Sequence, residues 1–270
     1  MKRTRKLAYP FNLWIAVFIV VPLLLIFYFS FTNEQGFALD NFKNIFQFNT
    51  LKTLYNSFYV AFMTTVICFI IGYPLAYIIS KTKAKFRTVA LMLIMIPMWM
   101  NFLLRTYAWV TILSKNGIIN SFLTKLNLPN INIMFTQSAV ILGMVYNFLP
   151  FMILPIYTVL EKMDKRVVEA AYDLGANRRQ AFYKVIFPMS LPGIISGISM
   201  VFIPSISTFE ITVLLGGGKV NMIGNTIEQQ FTNVGNWNYG SALSILLMLF
   251  ILISMLLDKE SFGTGGKNEK

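Results

Sequence analysis

Apolar residues occur along the chain in six long blocks, and charged residues separate the blocks. A hydrocarbon core of about 30 Å needs roughly 20 helical residues, and each block has about that length. The pattern therefore predicts an all-α membrane protein with six transmembrane helices. Their predicted bounds are residues 12–31, 55–80, 88–113, 136–160, 191–215 and 239–257.

The first block follows a basic N-terminal segment, an arrangement that a secretory signal peptide shares. Its apolar stretch is too long for a signal peptide, and no small-residue cleavage site follows Ser30. We therefore expect a retained first helix. The predicted organisation is an N-terminal segment (1–11), a transmembrane domain (12–257) and a C-terminal tail (258–270).

Lys and Arg residues are concentrated in alternate segments between the predicted helices. The N-terminal segment, the second and fourth connections and the C-terminal tail hold 17 of them, and the other three connections hold five. Positively charged segments stay on the cytoplasmic side of a membrane, so both termini are predicted to be cytoplasmic. The same asymmetry explains the net charge of +12 with lipid headgroups as the only anionic partner, so we expect no nucleic-acid binding.

Composition supports a chain that lives in lipid, because 56% of its residues are hydrophobic and only 13% are charged. The chain has no His and a single Cys, Cys68, which lies inside an apolar block. These counts exclude disulfides, His-based acid–base catalysis and Cys/His metal sites. We therefore expect no catalytic residues, no metal and no cofactor, and we interpret Cys68 as a small apolar residue.

Two of the predicted outer connections carry patterns of their own. Phe42, Ile45 and Phe46 have the spacing of a short amphipathic helix in the outer interface. Three glycines, 216–218, open a polar stretch that contains Asn221 and Asn225. That stretch is predicted to be either a flexible loop or a docking surface for a substrate-delivering protein.

The longest predicted cytoplasmic connection, residues 161–190, has the pattern of a helical hairpin. Asp164 is placed to cap a first helix, Gly175 to end it in a left-handed turn, and Asn177 to cap a second helix. The first helix carries an apolar stripe at helical spacing, formed by Val167, Ala170, Ala171 and Leu174. The second carries a stripe formed by Phe182, Val185 and Ile186.

The two alanines at the centre of the first stripe allow another surface to approach closely. From spacing alone, that surface is either the groove of a partner protein or the cytoplasmic end of the chain's own helices.

The hairpin also carries a recognisable motif. Glu169-Ala170-Ala171-Tyr172-Asp173-Leu174-Gly175, followed by Val185-Ile186-Phe187-Pro188, resembles the EAA loop of ABC importer permeases, with Val and Phe in place of the usual Ile and Leu. The resemblance implies a MetI-like permease fold in a bacterial cell membrane and a hairpin that docks into a cytoplasmic ATPase, which binds ATP and Mg²⁺. The residues that it assigns to coupling are Glu169, Ala170, Ala171, Asp173, Gly175 and Ala176.

Further stretches resemble the permeases of spermidine/putrescine importers. They are residues 72–76, 133–140, 149–152 and 223–225. This resemblance implies polyamine transport together with a second homologous permease, two ATPase subunits and an extracytoplasmic polyamine-binding protein. The same scaffold also suits other organic cations, phosphonates or ferric iron.

Charged and aromatic residues inside the predicted spans are candidates for the substrate pathway. Counted along straight helices from their cytoplasmic ends, Arg105 is 17 residues into the third span and Glu210 is 19 into the fifth, so both are predicted in the outer half of the bilayer. They form either an ion pair or a cation attractor with a gate. Trp99, at mid-depth, and Tyr107 complete the predicted pathway.

Two other classes of membrane protein are weaker interpretations. A membrane enzyme needs clustered His, Asp or Ser/Lys groups within the membrane, and a channel has no need of the cytoplasmic hairpin. The sequence also lacks a glycine-rich phosphate loop ending in Gly-Lys-Ser/Thr. The sequence therefore predicts a non-enzymatic permease that works by alternating access and takes its energy from a separate ATPase.

Overall fold

The computed structural model describes residues 10–11, 13–33, 36–37 and 39–263, with side chains as far as residue 256. Most of the predicted N-terminal segment and the end of the predicted C-terminal tail therefore lie outside the described residues. The helices are α1 (Leu13–Ser30), α2 (Asp40–Ile45), α3 (Phe48–Lys81), α4 (Ala84–Trp99), α5 (Phe102–Leu113), α6 (Ile118–Lys125), α7 (Gln137–Lys162), α8 (Lys165–Asp173), α9 (Arg178–Ser207), α10 (Glu210–Gly216), α11 (Ile223–Gln229) and α12 (Trp237–Gly263). A short hairpin of β1 (Thr32–Asn33) and β2 (Gly36–Phe37) follows α1, with Thr32 opposite Phe37.

Five of these helices are long and apolar enough to cross a membrane: α1, α3, α7, α9 and α12. The sixth predicted span is a bent pair, in which α4 and the segment Phe102–Lys125 meet at 95°. The predicted span over 88–113 is therefore two helices with a sharp bend between them. The break has a local cause, because the side chain of Asn101 accepts hydrogen bonds from the N–H groups of Leu103 and Leu104 and starts a new helix.

The fifth predicted span also differs from the structure. Helix α9 starts at Arg178, passes through a π-helical turn at Phe182–Ile186 and ends at Ser207. Thr208 leaves the helical conformation, with a ψ of 142°, and the chain re-enters a helix at Glu210. The predicted span over 191–215 is thus the end of one helix and a second, separate helix.

Helix α7 is the centre of the bundle and packs against α3, α9 and α10. Met144, Met152, Ile153 and Ile156 on this helix are fully buried. A helix that is apolar on more than one face gains stability by burying each face against a neighbour. The apolar residues on several faces of α7 therefore account for its position between three helices.

Two glycines four residues apart on α9 allow its backbone to approach α7. A methyl group on Gly193 would lie 2.9 Å from the carbonyl oxygen of Pro155, and one on Gly197 would lie 2.8 Å from the Sδ of Met152. Small residues at this spacing are typical of close helix pairs in membranes. These contacts fix α9, which includes the second arm of the hairpin, against the central helix.

The connections that are predicted to be outer are more ordered than the sequence indicates. The predicted helix around Phe42 is confirmed as α2, and Ile45 is buried in a cluster with Ile223 and Leu243. The polar stretch after residue 216 is not an irregular loop, because it contains α11 and a π-helical turn, Gln230–Val234. The prediction of a flexible loop is therefore wrong for this part of the chain.

Candidate coupling hairpin and translocation site

The hairpin has the local geometry that its sequence predicts. The carboxylate of Asp164 accepts a hydrogen bond from the N–H of Arg166, at 3.0 Å, and starts α8. Gly175 follows the helix with a φ of +84°, a conformation that favours glycine. Asn177 and Gln180 exchange side-chain-to-backbone hydrogen bonds at the start of α9.

The apolar stripe of α8 faces away from the rest of the chain. Leu174 is 89% exposed, Val167 is 42% exposed, Ala170 is exposed and Ala171 is half-buried. The neighbouring Val168, 8% exposed, is the residue of α8 that packs into the bundle. The interpretation in which the stripe folds onto the chain's own helices is therefore wrong, although α8 as a whole does touch them.

The other residues assigned to coupling by the EAA resemblance lie on the same exposed element. Glu169, Asp173 and Gly175 are exposed, and Ala176 is half-buried. An exposed apolar stripe flanked by carboxylates is the kind of surface that a partner protein covers.

The second stripe behaves differently, because it packs into the bundle. Ile186 is 2% exposed, and the ring of Phe182 contacts the rings of Tyr73 and Tyr77 edge-on, at centroid distances of 5.9 and 5.6 Å. The hydroxyl of Tyr73 in turn lies within hydrogen-bonding distance of Ser190. The second arm of the hairpin, which is the first part of α9, thus packs against α3.

The four predicted pathway residues lie on α4, α5 and α10. Trp99 is the last residue of α4 and is 83% exposed, and Tyr107 on α5 is 54% exposed. Arg105, also on α5, is only 8% exposed, and Glu210 is half-buried at the start of α10. Helices α5 and α10 pack against each other, so Arg105 and Glu210 lie on adjacent helices.

The predicted ion pair between these two residues is wrong. The carboxylate of Glu210 accepts a hydrogen bond from the hydroxyl of Thr208, at 2.9 Å, and the ion pairs among the described residues do not include Arg105. Within that part of the chain the buried Nε of Arg105 has no hydrogen-bond partner, and its guanidinium carbon lies 5.7 Å from the ring centre of Phe102.

The depth argument for Arg105 and Glu210 also fails. Counting residues along a helix gives depth only while the helix is straight. The bend between α4 and α5 precedes Arg105, and the break after Ser207 precedes Glu210. Their nearness rests instead on the packing of α5 against α10.

One carboxylate was not identified from the sequence, and it lines an apolar cavity of about 560 Å³ beside α11 and α12. Glu228 on α11 lines this cavity, together with Phe209, Phe231 and residues of α12, and accepts a hydrogen bond from Thr232 at 2.9 Å. Gly224 lies at a close contact between helices, because an added methyl group there would lie 2.3 Å from the carbonyl oxygen of Ser207. That close approach brings α11 against the end of α9.

A buried polar cluster anchors α11 at this place. The side chain of Asn225 accepts a hydrogen bond from the hydroxyl of Thr212 and donates one to the carbonyl of Phe209. Asn225 is 3% exposed, so its predicted part in an exposed docking surface is wrong. Its amide joins α11 to α10, the helix that begins with Glu210.

A polar cavity of about 680 Å³ lies at the opposite end of the bundle from the hairpin. Its walls come from the start of α3, the start of α7 and the segment after α10, and they include Lys52, Asn56, Lys219 and Asn221. Asn56 donates a hydrogen bond to the carbonyl of Asn221, at 2.8 Å, and so joins two of these walls. Asn221 thus remains in the exposed polar surface that the sequence indicates.

Comparison with known proteins defines the class to which this fold and hairpin belong. The model of the family described as binding-protein-dependent transport system inner membrane component matches residues 1–259. The chain belongs to this family, and it is a transport component of the bacterial inner membrane and not an enzyme.

Several named relatives are similar to the chain over most of its length. The chain is 40% identical, over 90% of its length and 88% of the relative's, to the spermidine/putrescine transport system permease protein PotB of Haemophilus influenzae. It is 38% identical to PotB of Escherichia coli K12, over 90% of this chain and 92% of that one. The chain is also similar, at 27% identity over 86% of its length and 78% of the relative's, to the ABC transporter permease YdcU of Escherichia coli.

Solved structures confirm the fold. A chain of a bacterial alginate ABC transporter, in complex with a periplasmic protein carrying an alginate pentasaccharide, superposes with a TM-score of 0.82 at 17% identity. The match covers 99% of this chain and 96% of that one. The MetNI methionine ABC transporter in an inward-facing form gives a TM-score of 0.58 at 16% identity, over 78% and 93% of the two chains. The predicted MetI-like ABC permease fold is thereby confirmed.

Proposed function

We propose that this chain is one of two homologous permeases of an ATP-driven polyamine importer and moves spermidine or putrescine into the cell by alternating access. Support for the substrate comes from the relatives at 38–40% identity, which are named as permeases of spermidine/putrescine transport systems. The proposed partners are a second permease, two cytoplasmic ATPase subunits and an extracytoplasmic polyamine-binding protein. ATP and Mg²⁺ bind to the ATPase subunits, and the termini of this chain lie in the cytoplasm.

The exposed stripe of α8 is the observation that carries the ATP-driven mechanism. Leu174 and Val167 are aliphatic side chains left open to solvent at one end of a membrane bundle. Covering them with a partner's groove removes apolar area from water, which stabilises a complex by about 25 cal/mol for each Å². Ala170, between them, lets that groove come close to the helix backbone.

Movement of the hairpin passes to two membrane helices. α9 continues without interruption from the second arm of the hairpin, and the packing of Phe182 on Tyr73 and Tyr77 joins that arm to α3. Closure of the ATPase subunits on ATP displaces the docked hairpin, and α3 and α9 move with it. A packed interface of this kind shifts as a rigid body, because tightly packed side chains deform little.

Substrate is attracted by Glu210 and guided by aromatic faces at Trp99 and Tyr107. A polyamine that leaves water needs carboxylates and aromatic rings to replace part of its hydration. The carboxylate of Glu210 is bonded to a neutral hydroxyl, so its negative charge is available to a cation. Arg105 on the adjacent helix acts as a gate, because its positive charge repels a polycation that has passed Glu210.

Copurification with the ATPase tests the docking role of the hairpin. Ala170→Arg places a bulky charged side chain at the centre of the stripe, and we expect it to abolish recovery of the ATPase with this chain. Ala170→Ser, which keeps a small side chain at the same position, is the matched control and should retain the ATPase. Equal recovery with both variants would contradict the proposal.

The substrate is tested by uptake in cells that lack this chain and receive it back on a plasmid. Radiolabelled spermidine and putrescine should enter only when the chain is restored and the ATPase is active. Restored uptake of a phosphonate or of ferric iron, with no polyamine uptake, would support the assignment as an ABC permease and reject polyamines as its substrate. Uptake that persists with an inactive ATPase would indicate a channel.

A further inference from the structure

A cavity of about 500 Å³ lies beside the hairpin, where several membrane helices end. The end of α3, the start of α4, the end of α7 and the start of α8 form its walls. Its charged residues are Lys81, Lys83, Arg87, Lys165 and Glu161, and its apolar floor includes Leu160, Val168 and Ile186. The cavity is separate from the exposed stripe, because it lies on the side of α8 that carries Val168.

The charge of this cavity is unbalanced. Four cationic side chains line it with one carboxylate, Glu161, and that carboxylate is engaged by Arg87 at 3.1 Å. The nearby Asp164 lies 3.5 Å from the Nε of Arg166 and is outside the lining. Lys81, Lys83 and Lys165 therefore contribute positive charge to one small space, an arrangement that favours an anion.

The backbone adds to the positive potential. Helix α4 begins in the cavity wall at Ala84, and its capping position is Lys83, which makes no side-chain capping hydrogen bond. The first turn of α4 contains no acidic residue. The N–H groups at the start of a helix carry partial positive charge, so they reinforce the attraction of the three lysines for an anion.

The surface that continues from the cavity is suited to acyl chains. Phe86, Val89 and Leu93 follow one another along α4, and they are 67%, 50% and 65% exposed. These side chains lie on the first helix of the bent apolar pair, and lipid covers apolar residues that such a helix exposes within a membrane. The cationic cavity lies at the end of that segment, which is the level of lipid headgroups.

We propose that this cavity binds the phosphodiester headgroup of an anionic phospholipid, with its acyl chains along the exposed face of α4. Lys83 and Lys165 both line the cavity, at the starts of α4 and α8 respectively. A headgroup that contacts both lysines holds the base of the hairpin against α4. Lipid composition then sets how firmly the hairpin is attached to the membrane domain.

Native mass spectrometry of the purified full chain tests this site. In mixtures of phosphatidylglycerol and phosphatidylcholine, the chain should retain phosphatidylglycerol preferentially. The double variant Lys83→Gln/Lys165→Gln should lower this retention by about fivefold for each removed cation, as expected for a lysine near an anionic surface. The matched control is Lys85→Gln/Lys162→Gln, because these lysines are in the same two connections but do not line the cavity. It should retain the lipid as the unmodified chain does.

Three outcomes would overturn the proposal. Equal retention by the two double variants would mean that only diffuse surface charge is at work. Displacement of the lipid by an equal concentration of glycerophosphoglycerol, which has the headgroup without acyl chains, would assign the cavity to a soluble phosphate. Loss of the ATPase from the Lys83→Gln/Lys165→Gln variant in phosphatidylcholine alone would assign the cavity to a protein contact. If the double variant does not fold, the single variants Lys83→Gln and Lys165→Gln take its place, because both lysines are exposed.

Discussion

The hydroxyl oxygen of Tyr73 on α3 lies 3.1 Å from the hydroxyl oxygen of Ser190 on α9, and both residues are buried. Ser190 is four residues beyond the π-helical turn Phe182–Ile186, and the ring of Tyr73 also contacts Phe182. One residue of α3 therefore contacts both the second arm of the hairpin and the membrane helix that continues from it.

Tyr73→Phe should lower the stability of the chain by about 1 kcal/mol, since it removes one hydrogen bond and leaves the ring contacts in place. The unfolding midpoint of the purified chain in detergent is the measurement. Tyr77→Phe is the matched control, because the Tyr77 ring also contacts Phe182 and no hydrogen bond of its hydroxyl is among the described contacts. Equal effects of the two substitutions would contradict a specific role for the bond between Tyr73 and Ser190.

Gly193→Ala should destabilise the chain by roughly 1–3 kcal/mol, the usual cost of overpacking a close contact. The added methyl group meets backbone at Pro155 and Ile156, which cannot move aside as a flexible side chain does. Thermal unfolding in detergent measures the effect. Met200→Leu, at a position of α9 that is 53% exposed, keeps a similar volume and should leave the midpoint unchanged. A stable Gly193→Ala chain would show that α7 and α9 are not in close contact.

Glu210→Gln should reduce polyamine uptake about tenfold, because a hydrogen bond to a charged group contributes roughly 1.5–3 kcal/mol and the amide has no charge. Recovery of the ATPase with the variant should be unchanged, since Glu210 lies on α10 and not on the hairpin. Glu210→Asp, which keeps the charge, should retain part of the uptake. Normal uptake by the Gln variant would remove Glu210 from the pathway.

Arg105→Met should leave thermal stability unchanged or slightly raised. Replacing a buried charge by an apolar side chain of similar volume is often neutral or stabilising, and the buried Nε gives up no hydrogen bond to the described residues. Polyamine uptake should nevertheless change, because the proposed gate loses its charge. A large loss of stability would instead assign Arg105 a structural role, and normal uptake would remove it from the pathway.

Local signals predicted the hairpin well. Asp164, Gly175 and Asn177 are caps and turns whose behaviour depends on a few neighbouring residues, so their spacing was sufficient. Hydrophobic length likewise located the spans α1, α3, α7 and α12, and the majority of their ends lie within a few residues of the predicted ones. Which face of α8 turns outward could not be predicted, since Val167 and Val168 differ only in what surrounds them.

Apolar content continues through the breaks in the third and fifth spans, so hydrophobic length alone does not locate them. Asn101 was a capping signal inside an apolar block, and it was outweighed by the length of that block. The helix at Ile223 was missed because its polar side chains are satisfied by tertiary contacts, such as that of Asn225 with Thr212. Hydropathy alone does not show such contacts.

Thiol cross-linking at Leu174 tests the central claim most directly, namely that the exposed stripe of α8 docks into a separate ATPase. Cys68 is the chain's one cysteine and is fully buried, so in a Cys68→Ala background Leu174→Cys provides the accessible thiol. A cross-linker with a maleimide group for the thiol and a second group that reacts with amines should join Cys at 174 to the ATPase subunit. Cys introduced at the buried Val168 should not be joined. A residue 174 thiol that reacts freely with solvent reagents in the assembled importer, with no cross-link to the ATPase, would contradict the account.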